Sequence, residues 1–145
     1  MRVLGLDIGE KRIGIAVSDE LKCTAQGMQV LTRNGLADDL EALKKLVAVS
    51  EISEVVVGLP KNMDGSLGEA AQKVLSFAKT MEESLSIPVI LWDERLTTSE
   101  ATRLLVEADL SRAKRRKVVD KLAAVLILQG YLDSLEPREG GGGKR

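Results

Sequence analysis

Histidine is absent from the 145 residues, and cysteine occurs once, as Cys23. The first absence removes the commonest general base, the Ser–His and Cys–His nucleophilic arrangements, and imidazole-ligated metals. The second excludes an intramolecular disulfide and zinc sites built on paired cysteines. Enzymatic chemistry would then rest on carboxylates, lysine, tyrosine or a hard metal. Aromatic residues are almost as scarce, at 2%. Phe77, Trp92 and Tyr131 are too few for the base-stacking platform that sheet-based RNA readers use. Charge of either sign is not in excess: 21 basic and 22 acidic residues give −1. Nucleic acid would therefore be held by local clusters, not by the field of the whole molecule. No apolar run reaches the ~18–20 residues of a membrane span, and the N-terminus enters a strand without signal-peptide character. The expectation is a soluble protein of a reducing compartment, cytoplasmic, with no membrane partner.

What the chain does have is aliphatic residues. Apolar types make up 44% of it, and a chain of this length can bury about 70% of its unfolded surface as one domain. Met1 to Gly9 alternates: Leu4, Leu6 and Ile8 fall on one side, Val3, Gly5, Asp7 and Gly9 on the other. Aspartate is depleted in strands and rarely buried unless paired, so Asp7 on a floor of small residues asks for a function. A second alternating run, Arg12 to Ser18, follows a turn short enough for an antiparallel hairpin. Gly14, Ala16 and Ser18 then join the floor, either to admit a packed helix or to leave room for a ligand.

Ala25 to Leu31 reads as a third strand. After the Asn34-Gly35 turn, Leu36, Leu40, Leu43, Leu46 and Val47 recur at helical spacing, with Asp38, Asp39, Glu41, Lys44 and Lys45 on a solvated face. Val55-Val-Val57 suits a parallel strand buried on both faces. It leads into the polar loop Lys61 to Ser66, and a second helix carries Ala71, Val74, Leu75, Ala78 and Leu85. Pro88 to Trp92 is the next strand, ending in Asp93-Glu94. Thr97 and Glu100 have capping-box spacing for a third helix. Ser111 to Lys117, read as a loop, gathers five of the twenty-one basic residues in seven positions. A last helix is expected from about Val118 to Leu135, before Pro137. The predicted organisation is one α/β domain over residues 1–136, and a disordered glycine-rich tail over 137–145.

Three carboxylate positions can meet. Asp7 is on the first strand. Asp93 and Glu94 end a later one, on opposite faces, so one of them can join Asp7. Asp120, read as first-turn in the last helix, lies on a stripe with Ala123, Ala124, Ile127 and Tyr131. Helix-dipole compensation is its competing role. Clustered carboxylates repel unless a cation is present. Mg²⁺ and Mn²⁺ favour all-oxygen ligands, and a pair of such ions can activate water for phosphodiester cleavage.

Four segments carry a family resemblance: Gly5 to Gly14, Val57 to Ser66, Asp93 to Thr98, and Lys117 to Ala124 running on to Ile127-Leu-Gln129. They resemble, in family order, the YqgF/RuvX family, described as pre-16S ribosomal RNA nucleases and earlier as Holliday junction resolvases. The resemblance implies a ribonuclease H-like fold with a mixed five-stranded sheet, antiparallel in its first three strands and flanked by helices. It also implies acidic catalytic and metal-binding residues at Asp7, Glu94 and Asp120, with Asp93 as a second-tier ligand. Asp7-Ile-Gly9 to Gly14 also fits the phosphate turn of sugar-kinase and actin-like ATPases, but those need two such domains, and no Walker motif is present.

The leading expectation is a Mg²⁺- or Mn²⁺-dependent nuclease acting on the 5′ end of precursor 16S ribosomal RNA. Lys11, Arg12, Asn62, Arg112, Lys114, Arg115 and Arg116 are the expected contacts to the nucleic-acid backbone. The alternatives are a resolvase of branched DNA, which requires a dimer, and a non-catalytic RNA-binding assembly factor. The sequence leaves monomer and homodimer both open.

Overall fold

The computed structural model describes residues 1–94 and 112–135, with side chains of the last helix from residue 121 onward. Among these, β1 spans Arg2–Ile8, β2 Arg12–Ser18, β3 Ala25–Thr32, α1 Leu36–Val49, β4 Ile52–Leu59, α2 Glu69–Leu85, β5 Val89–Asp93 and α3 Arg112–Ser134. The strands form one sheet in the order β3-β2-β1-β4-β5. The first three pair antiparallel, whereas β4 lies parallel to β1 and β5 parallel to β4. This is the mixed five-stranded sheet expected.

The pleat divides the core in two. Leu4, Leu6, Ile13, Ile15, Val55 and Val57 face α1 and α2, which contribute Leu43, Val74, Phe77 and Met81. The opposite set, Val3, Ala16 and Val56, packs on Ala124, Ile127, Leu128 and Leu132 of α3. Because helices cover both faces and β1 and β5 flank it, β4 is buried from Val55 to Leu59, which accounts for its unbroken apolar run.

Gly5 sits directly beneath α3. A Cβ there would lie 2.7 Å from Leu128 Cβ and 3.3 Å from the Ala124 carbonyl oxygen. Of the two roles open for the small residues, helix packing explains this one. Further along, the Ala25 N–H donates to Gln129 Oε1 at 2.9 Å, and Gln129 Nε2 donates to the Cys23 carbonyl at 3.0 Å. At the other end of the sheet the Tyr131 hydroxyl donates to Glu54. Burial, with Glu54 as acceptor and neighbouring charge, pushes the Tyr131 hydroxyl pKa up to about 12.

Three sequence expectations change. α3 begins at Arg112, not near Val118, so the basic run forms its first turns instead of a loop. Arg, Lys and Ala are strong helix formers, and neither Gly nor Pro interrupts them. Asp120 is therefore the ninth helical residue, too deep for a dipole effect confined to the first turn. Asp39 is buried, not solvated; it accepts from Arg33 Nε at 2.9 Å and from the Asn34 N–H at 3.0 Å. That pairing pulls the start of α1 onto the end of β3. The Thr97/Glu100 capping box and the glycine-rich tail lie outside the described residues.

Gly5→Ala tests the close approach of α3. The new methyl meets a Cβ held by the helix backbone, not a flexible side-chain tip, and is expected to cost ~1–3 kcal/mol. Urea denaturation measures it; wild-type stability would mean that α3 rides up without loss.

Candidate active site

Asp7 occupies the central strand with glycine on either side. Its antiparallel partner is Gly14. On the parallel side the register runs Gly5↔Val56 and Leu6↔Val57, which brings Gly58 next to Asp7. Gly58 in turn pairs with Trp92 of β5. Residues aligned across a sheet share a face, so Gly14, Asp7, Gly58 and Trp92 form one row on the α3 side. Asp7 is its one acidic member and is half-buried.

Glu94 fills the space that Gly58 leaves. A Cβ on Gly58 would stand 2.8 Å from Glu94 Oε2, 2.9 Å from its Cγ and 2.5 Å from Ile127 Cδ1. The Glu94 carboxylate thus folds back over the glycine adjacent to Asp7. The pleat sends Asp93 the other way: it aligns with Leu59, a member of the α1/α2 core, and its Oδ2 lies 4.0 Å from Lys61 Nζ. The alternation expected of this pair is what the sheet displays, and Glu94 is the member on the Asp7 face.

Asp120 reaches the same level by helix geometry. Ala124 and Leu128 lie over Gly5, while Lys121 and Val125 lie over Gly27 and Gln129 meets Ala25. Chain numbers fall along α3 as they rise along β1 and β3, so the helix runs antiparallel to β1. Four helical residues cover about 6 Å and two strand residues about 7 Å. One turn before Ala124 therefore stands level with Asp7, two residues beyond Gly5. That position is Asp120. Among the described residues no three acidic side chains form a metal-binding group; Asp7 and Glu94 are the two that flank Gly58.

The remaining predicted contacts divide. Lys11 and Arg12 lie at the β1–β2 turn, which the Gly9 N–H closes by donating to the Arg12 carbonyl at 2.9 Å. Asn62 shapes its own loop: its Nδ2 donates to Ser66 Oγ at 2.9 Å, and Asp64 Oδ1 accepts from the Ser66 N–H at 2.9 Å. Arg112, Lys114, Arg115 and Arg116 are on the first turns of α3, on the side of Asp120 away from the packed core. Sequence reasoning missed Gly58. Its signal was a glycine closing an otherwise unbroken β-branched strand.

A family model described as RuvX, Holliday junction resolvase, covers residues 1–134. A Clostridium botulinum protein named "Putative pre-16S rRNA nuclease" is 57% identical over 135 residues, spanning 93% of this chain and 98% of its own. The chain belongs to the RuvX family. A Thermoanaerobacter pseudethanolicus member of the same name is 55% identical, spanning 92% of this chain and 97% of its own. Among solved structures, Thermus thermophilus RuvC in complex with a Holliday junction substrate superimposes with a TM-score of 0.57 at 18% identity, over 93% of this chain and 96% of that one. The fowlpox virus resolvase with Holliday junction DNA gives 0.55 at 13%, over 93% and 99%. These likenesses establish the ribonuclease H-like fold.

Gly58→Ala probes the Glu94 pocket. The three atoms it meets belong to the side chains of Ile127 and Glu94, not to backbone, so the protein should fold with a loss of ~1–3 kcal/mol while the Glu94 carboxylate is displaced. Carboxyl-carbon NMR of Glu94, alongside thermal denaturation, reads both; an unmoved Glu94 signal would contradict the placement.

Proposed function

We propose that this RuvX-family protein is a divalent-metal-dependent nuclease that processes precursor 16S ribosomal RNA, with Asp7, Glu94 and Asp120 as its catalytic carboxylates. The observation that carries the reading is the Glu94 carboxylate folded over Gly58, beside Asp7, below the helix that bears Asp120. The names of the 55–57% identical relatives support the choice of RNA.

The donor set fits Mg²⁺ or Mn²⁺, since every candidate ligand is a carboxylate oxygen and the chain has no histidine. When bound, such ions offset the repulsion of gathered carboxylates and supply water activation and leaving-group stabilisation. Asp7, anchored on the central strand, gives the site its rigid origin. Glu94 enters from the end of β5 and Asp120 from α3. The glycines beside Asp7 keep side chains out of the path by which a phosphate reaches the carboxylates. Lys11 and Arg12 on the hairpin, with Arg112, Lys114, Arg115 and Arg116 on α3, hold the flanking phosphates. Asp93, turned toward Lys61 on the opposite face, is left out of the ligand set.

Resolution of four-way DNA junctions is the second reading, favoured by the family description and by the junction-bound folds that superimpose on this one. It requires two active sites acting together, hence a homodimer.

Cleavage of matched RNA, single-stranded DNA and four-way-junction substrates with Mn²⁺ separates the readings. Wild type should cut the RNA, and Asp7→Asn should lose that cleavage while keeping its fold by circular dichroism. Retained activity in the variant would overturn the site. Junction cleavage by a dimer, with RNA left intact, would install the second reading.

Reversing charge in Arg115→Glu/Arg116→Glu should weaken RNA binding and lower the slope of log affinity against log salt by about two. An unchanged slope would remove the start of α3 from the interface.

A further inference from the structure

On the face of the sheet opposite α3, a cavity of about 520 Å³ opens between the β1–β2 turn, the end of β4 and the first turns of α2. Its apolar floor is Ile8, Val74 and Phe77, and Arg33 forms a wall. The Arg33 guanidinium is held in one orientation by bonds in its own plane: Nε donates to the buried Asp39 and Nη1 to the Gly9 carbonyl, each at 2.9 Å. It lies over the Phe77 ring, 5.0 Å from its centroid. The result is a fixed planar cation backed by an aromatic ring, about a quarter exposed.

The charges around the cavity do not suit a phosphate. Lys73 Nζ lies 4.0 Å from Glu10 and 3.9 Å from Glu69, and Asp39 already neutralises Arg33. A neutral, flat, polarisable group fits better. Guanidinium planes stack on nucleobases as aromatic rings do, and the cavity volume is in the range of small-ligand sites. Purines offer the larger stacking face, and the rim carboxylates of Glu10 and Glu69 can accept from an exocyclic amino group. The cavity also opens at the end of the strand that bears Asp7: Ile8 and Gly9 line it and directly follow Asp7, so a nucleic-acid strand that passes over the β1–β2 turn can reach both faces.

We propose that this cavity is a nucleobase subsite, which stacks one unpaired purine of the substrate strand on Arg33 as the backbone crosses the Asp7 site. It rests on the nuclease reading for its substrate, and it makes single-strandedness next to the scissile bond a condition of recognition.

The test is binding of a single-stranded oligoadenylate, roughly a dozen nucleotides long, to the full chain in a chelator. NMR follows the Phe77 ring and the Val74 methyl groups. Ala70, exposed at the cavity edge, is replaced in two variants: Ala70→Phe to fill the space and Ala70→Ser as the control. Wild type and Ala70→Ser should shift the Phe77 and Val74 signals and prefer oligoadenylate to oligouridylate. Ala70→Phe should bind oligoadenylate about tenfold more weakly, the scale of one lost base stack. Binding without shifts at Phe77, equal affinity in Ala70→Phe, or no binding at all would overturn the subsite. Mn²⁺-dependent RNA cleavage, assayed in parallel, reports on the nuclease reading separately: its persistence with a silent cavity removes only the subsite.

Discussion

An acidic side chain on the central strand of a sheet covered by helices is the constraint to which the rest of the molecule answers. Asp7 has β2 on one side and β4 on the other, and both present glycine to it. A larger residue at Gly58 would collide with Glu94 and Ile127. With glycine there, Asp7 stays half-buried, and Gly58 leaves a slot that the Glu94 carboxylate occupies. A second acid beside the first raises the electrostatic cost of both unless a cation joins them. The same glycine that makes room for Glu94 thus sets two acids side by side.

The two faces of the sheet share this load unequally. On the α1/α2 side, buried Leu, Ile and Val from three strands build the larger core. The α3 side is thinner, with Val3, Ala16 and Val56 as its sheet contribution. Its small residues let α3 lie close enough for Leu128 to press on Gly5. Closeness brings Asp120 level with Asp7, while Gln129 and Tyr131 tie the far half of the helix to Ala25 and Glu54. Packing at one end of α3 therefore sets where Asp120 stands at the other. Because the helix starts at Arg112, its basic turns extend past the carboxylates to the end of the sheet where the β1–β2 turn also projects. The proposed site asks for cations close by, since a chain of net charge −1 has no global field to hold phosphates.

Much of this was legible beforehand, for definite reasons. Period-two alternation in residues 1–18 determined which residues of β1 and β2 face each core, and the short turn determined their antiparallel pairing. Absence of histidine and paired cysteine narrowed any metal chemistry to hard ions and oxygen ligands. The alternation of Asp93 and Glu94 required that only one of them could meet Asp7. These are local properties, set by pleat geometry and side-chain chemistry, and one strand is enough to express them.

Tertiary structure decided what depends on neighbours distant in sequence. That Glu94 is the acid beside Asp7 follows from the register of β1, β4 and β5 together. Gly58 gained its role only when β4 was laid next to β1. Asp39 looked like part of a solvated helix face until Arg33, at the end of another element, was folded against it. The scarcity of aromatic residues argued against a stacking platform on the sheet, but a single Phe77 backing a clamped Arg33 makes a planar surface that no count of aromatics reveals. The start of α3 was misread because a dense cationic run suggests a solvated loop, whereas its Arg, Lys and Ala residues favour the helix. Sequence by itself determined the strand faces, the helix periodicity and the acidic residues available; only the assembled sheet decided which of them meet, because proximity between strands and helices is a property of register and packing, not of any segment alone.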